Sequence, residues 1–193
     1  MIKARTAAPV KLDDFFMAFA AAFFFWLSFR ANQLLDQWFV YVQGMSFLFL
    51  PAGVKLLFVL IGRVPAICGI MLASVYLGHG IWPDKSIWAV VDFAFISLMT
   101  YPVSAYLVMR WLGIHRDLVN LQYWHIVVLS LAASVTNGIV HNVLYMAEGV
   151  TAPEDFWTRA AAMTLGDFMG CFVVVALFQL AFSKMRPQPE NLK

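Results

Sequence analysis

Apolar residues run along this chain in long blocks rather than in the repeating polar and apolar alternation of a soluble helix or strand. Uncharged stretches cover 15–29, 37–54, 64–83, 93–109, 118–147 and 168–183. Segments such as Phe23-Phe24-Phe25-Trp26-Leu27 are apolar on every side, which argues against the period-two pattern of a membrane β-barrel. A hydrocarbon core of ~30 Å is crossed by about 20 apolar residues in a helix. Six stretches therefore predict six spans, over 15–35, 45–62, 64–82, 87–109, 123–146 and 160–182. The expected fold is an all-α polytopic bundle, a single integral membrane domain over 1–193, with Pro51 loosening the second span from within.

Composition makes the same case. Hydrophobic residues form 62% of the chain and charged ones 12%, against about one in four charged in a soluble domain. Mean hydropathy is +0.77. The net charge of +2 supplies no basic field, so nucleic acid is not an expected partner, whereas membrane lipid is. Cys68 and Cys171 sit in apolar runs and suggest neither a disulfide framework nor a metal site.

The charges also orient the chain. Lys3, Arg5, Lys11, Arg63, Arg110, Arg116, Lys184, Arg186 and Lys193 fall on one side of the predicted bundle, nine against Arg30, Lys85 and Arg159 on the other. By the positive-inside rule both termini are expected in the cytoplasm of a bacterial inner membrane. The basic N-terminal stretch resembles a secretory leader, but Arg30-Ala31-Asn32-Gln33 offers no small-residue cleavage site, so it is read as an uncleaved first span.

Ionisable groups inside predicted spans are the candidates for chemistry, because each costs ~2.5 to 3.5 kcal/mol at the membrane centre and must be paired or used. Lys55, Asp92 and Asp167 qualify. Asn137 and His141, four residues apart, share a helix face, and His79 lies toward the outer end of its span. All six are expected in the outer half of the membrane. Two readings are open: an outward polar pocket in which Lys55 balances Asp167 beside His141 and Asn137, or a buried ion pair that fixes helix register. No cofactor or metal is expected, since haem b would require His79 and His141 as a pair and no metal-binding spacing is present. No nucleophile with a base stands out, so no enzyme is expected. Gly166 and Gly170, and Ser130, Ser134 and Gly138, form small-residue stripes that predict close helix packing.

Two short motifs carry a resemblance. Phe49-Leu50-Pro51-Ala52-Gly53-Val54 and Leu165-Gly166-Asp167-Phe168-Met169-Gly170 are similar to the Pro-Ala-Gly and Gly-Asp-x-x-Gly elements of the first class of membrane-associated sensor (MASE) domains. The resemblance runs from about Gly44 to Leu180. It departs from the family in having fewer spans, Leu165 where an aromatic is common, and no output domain after Leu180. It implies an integral membrane sensory or regulatory module, stand-alone and shortened, that signals through a partner protein carrying the output. A small-solute transporter or substrate-binding membrane subunit, and a structural subunit of a larger membrane complex, are the alternative expectations.

Overall fold

The computed structural model describes residues 11–185, with side chains as far as 180. Lys3, Arg5, Arg186 and Lys193, and the side chain of Lys184, all used in the charge count, lie outside the described residues.

The first helix, α1, spans Leu12–Phe39. Asp13 and Asp14 occupy its first turn, where the helix dipole favours carboxylates, and Asp14 accepts from the Lys11 backbone N–H at 3.0 Å. Only Ala21, Phe25 and Asn32 are buried, while Phe15, Phe16, Phe19, Phe23, Phe24 and Leu27 are exposed. Such a surface is stable only against hydrocarbon. Arg30 stands exposed, its guanidinium 5.7 Å from the Trp26 ring centre and bonded to Gln33.

A small antiparallel hairpin follows, β1 (Val40–Val42) against β2 (Met45–Ser46), turning through Gly44 at φ +77°. The next helix, α2, spans Leu50–Ile81 and breaks at Arg63, whose φ of 50° and ψ of −134° are not helical. Its two ends lie near each other. The Leu50 N–H donates to Asn32 Oδ1, and Gln43 Nε2 donates to the Ile81 carbonyl, whereas 32 residues of straight helix measure about 48 Å. The chain therefore reverses at Arg63, with Pro65 next to the break, and both legs pack on α1, Gly62 against Met17 and Gly69 against the Ala18 backbone.

Three further helices complete the bundle: α3 (Ile87–Trp111), α4 (Tyr123–Ala147) and α5 (Phe156–Met185). Ser86 caps α3 by accepting from the Ala89 N–H at 3.2 Å, and His125 Nδ1 accepts from the Gln122 N–H at the start of α4. Arg63 bonds the Arg116 carbonyl in the α3–α4 loop at one end of the bundle; Lys85 bonds the Glu148 carbonyl at the other. Main cores gather Leu56, Leu60, Tyr101, Leu129 and Cys171 on one side of α2, and Phe25, Val54, Ile70, Leu77 and Leu98 on the other.

The protein is all-helical apart from the hairpin, and among the described residues five helices are long and apolar enough to cross a membrane. It is a multi-pass membrane protein. Six separate spans were expected. The stretches read as 45–62 and 64–82 belong to one element, and residues 45–49 are strand and extended chain rather than helix. Pro51 accounts for part of this difference. It stands in the first turn of α2, where its missing N–H costs nothing, so it starts the helix rather than loosening it. The first leg, 50–62, measures about 20 Å and is too short to cross alone.

Candidate functional site

Extended chain at membrane depth is tolerated only when protein covers its polar backbone, and α5 provides that cover for residues 46–49. A Cβ at Gly166 would strike the Ser46 carbonyl and one at Gly170 the Phe49 carbonyl; one at Gly53 would come within 2.7 Å of the Gly170 carbonyl. The Phe49 N–H closes the contact by donating to the Gly166 carbonyl at 3.0 Å. The Gly166 and Gly170 stripe thus admits a descending extended segment and the start of α2. Ser134 and Gly138 make the packing face between α4 and α5: Thr164 bonds the Ser134 carbonyl, and Gly138 leaves no room for a Cβ beside Thr164. Ser130 is buried beside Cys171.

This docking places Lys55, four residues after Pro51, and Asp167, beside Gly166, on one cavity of about 290 Å³. Both are only 2% exposed. Counting about 1.5 Å per residue, Asp167 lies ~17 Å along α5, Asn137 ~15 Å from the end of α4 and Ser97 ~15 Å into α3, all near mid-membrane. The cavity extends from this level past Asn32, Gln33 and Asp36 to Gly44, Ile81 and Trp82 at the hairpin end.

Lys55 and Asp167 do not form a salt bridge; among the described residues the salt bridge present is Arg159 to Asp155, at 3.2 Å. Each charge has its own setting. The Lys55 ammonium donates to Ser97 Oγ and approaches the Ser97 carbonyl at 3.5 Å. It lies 5.3 Å from the Tyr101 ring centre, 5.6 Å from Phe49 and 5.7 Å from Phe25. A hydrogen bond to a charged group is worth about 1.5 to 3 kcal/mol, and a desolvated cation–π contact up to about 2 kcal/mol. These offset an insertion cost of ~2.5 to 3.5 kcal/mol without a carboxylate in contact. Asp167 accepts from Asn137 Nδ2 at 2.6 Å, and Asn137 Oδ1 accepts from Thr100 at 3.2 Å, so three helices share one polar chain. The Tyr101 hydroxyl is directed at the same carboxylate, short of full hydrogen-bond geometry.

His141 lines the cavity, is 6% exposed, and has no hydrogen-bond partner on either ring nitrogen among the described residues. Its ring sits 4.4 Å from Tyr145, within an aromatic group of Trp82, Phe93 and Tyr145 that walls the hairpin end. Ser74 Oγ, also on the wall, is equally unpartnered.

Of the six residues singled out in the sequence, Lys55, Asp167, Asn137 and His141 meet at this cavity. Asp92 and His79 do not: both are exposed, and neither is part of the lining. Asp92 is one position before Phe93, whose side chain turns inward, so helical rotation carries the carboxylate away. With His79 outside and His141 inside, the structure does not bring those two histidines to one cavity. No group of three metal-ligating side chains occurs among the described residues. Sequence reasoning missed Asn32, Asp36, Ser97, Tyr101 and Tyr145. Asn32 was open to detection as an amide just beyond an apolar run; Ser97 and the tyrosines look like ordinary span residues.

No family model, curated protein or solved structure matches this chain.

Proposed function

We propose that this protein is an integral membrane sensory module of the bacterial inner membrane, which binds a small polar ligand in the Lys55, His141 and Asp167 cavity and signals to a partner protein through α5. The observation that carries the reading is the packing of the extended chain from Ser46 to Phe49 onto Gly166 and Gly170, with Gly53 against Gly170, which sets Lys55 and Asp167 on one cavity with open valences. The two motifs that resemble the membrane-associated sensor domains are thus the two halves of one site. Helix α5 carries Asp167 on the cavity and continues to Met185, giving a bound ligand a rigid lever toward the far end of the bundle. With the basic ends inside, the cavity opens outward and α5 ends on the cytoplasmic side.

A second reading, a substrate-binding subunit or small-solute transporter, is favoured by one feature. The first leg of α2 begins in mid-membrane beside unwound chain, as broken helices do in transporters. Reconstitution separates the two. Proteoliposomes loaded with a ligand found by thermal-shift screening exchange nothing across the bilayer if the protein is a sensor, and show counterflow if it is a carrier. The site reading itself fails if no small polar solute raises the unfolding temperature of the wild type in a Lys55-dependent way.

A further inference from the structure

The mid-membrane end of the cavity holds two opposite charges that are kept apart. Lys55 is fixed by Ser97 and three rings, Asp167 by Asn137, and no salt bridge joins them although both are buried at the same depth. In a medium of low dielectric, opposite charges that line one space gain most from a guest carrying the complementary pair. An anion alone would leave Asp167 facing it, and a cation alone would face Lys55.

From this geometry, resting on the ligand-site reading above, we infer that the cavity binds a zwitterion of amino-acid size, its carboxylate on Lys55 and His141 and its ammonium on Asp167. Open valences fit both ends. The Asp167 carboxylate accepts one hydrogen bond in full geometry where its two oxygens offer about four sites. The polar contacts of the Lys55 ammonium both go to Ser97, leaving donor capacity toward the cavity. His141 brings two unpartnered ring nitrogens to the same space. Phe93, Trp82 and Tyr145 give an apolar wall for a side chain. Asp36, half-buried on the wall toward the hairpin end, adds negative charge, which selects against a dianion. The volume of about 290 Å³ is at the lower limit of ligand pockets, which suits one amino acid rather than a peptide.

The test titrates the full chain in lipid nanodiscs with a panel of common L-amino acids by calorimetry, then compares each binder with its two truncated forms. For L-leucine these are isoamylamine, lacking the carboxylate, and 4-methylpentanoate, lacking the ammonium. At least one amino acid is expected to bind, and both truncated forms to bind roughly thirtyfold more weakly, since each leaves a buried charge unpaired. K55M is expected to remove the preference for the carboxylate and D167N the preference for the ammonium. The wild-type series decides the matter even if a variant does not fold. A truncated form binding as tightly as the amino acid overturns the inference, as does the absence of any amino-acid binding. If another polar solute then binds with dependence on Lys55, the ligand-site reading survives; if nothing binds, both fall.

Discussion

Asn137 donates to Asp167 across the α4–α5 interface at 2.6 Å while accepting from Thr100 of α3, so one buried amide holds the carboxylate in place and ties three helices. Replacing it with alanine leaves a buried carboxylate without its donor. N137A is expected to lose about 1 to 3 kcal/mol of stability, read as a lowered unfolding temperature in detergent. D167N, which retains a shape able to bond Asn137, is expected to unfold near the wild type. An N137A variant that unfolds at the wild-type temperature would show that the amide does not serve the carboxylate.

The glycines of α5 give a sharper contrast. G170A forces a methyl group into the Phe49 carbonyl, and backbone cannot yield as a side chain does. A loss of about 1 to 3 kcal/mol or failure to fold is expected. G80A, in the last turns of α2 with nothing within 4 Å of the added carbon, is expected to be neutral or to gain up to about 1 kcal/mol from helix propensity. Parallel thermal melts check the pair, and similar behaviour of both would contradict the close packing.

The reversal at Arg63 is open to chemical labelling. In a cysteine-free background, R63C is expected to react with a membrane-impermeant maleimide from the same side as a cysteine at Arg116, and G80C from the opposite side. Labelling of positions 63 and 116 from opposite sides would contradict the hairpin.

Much of the fold was legible because burial in lipid is written in composition: the charges mark helix ends, and the all-α membrane bundle follows. The departure at 45–49 was not legible. An apolar run reads as helix whether or not protein covers it, and only the three-dimensional approach of Gly166, Gly170 and Gly53 shows that extended chain is sheltered there. Charge in an apolar stretch likewise pointed to Lys55 and Asp167, but depth alone does not give rotation about a helix axis. That is why Asp92 and His79 were grouped with residues from which the structure separates them. Of the two readings left open for Lys55 and Asp167, an outward pocket or a buried ion pair, neither included the hold of Ser97, Phe25, Phe49 and Tyr101 on the lysine, each of them unremarkable in sequence.

Ser97 tests that hold. S97A removes the hydroxyl that anchors the Lys55 ammonium, leaving it free to swing toward Asp167. Ligand affinity in nanodiscs is expected to fall by about tenfold, equivalent to about 1.4 kcal/mol, with unfolding temperature lowered less than in N137A. Unchanged affinity would mean the lysine is positioned by the rings and the Ser97 carbonyl without the hydroxyl.

The most direct measurement is a double-mutant cycle on the stability of the unliganded protein with K55M, D167N and the pair. Two buried opposite charges that face one cavity without a salt bridge still attract through a medium of low dielectric, so a coupling of about 1 to 2 kcal/mol is expected, together with loss of ligand-induced stabilisation in each single variant. A ligand response left intact in either single variant would contradict the account and show that the two residues serve the fold and not a binding site.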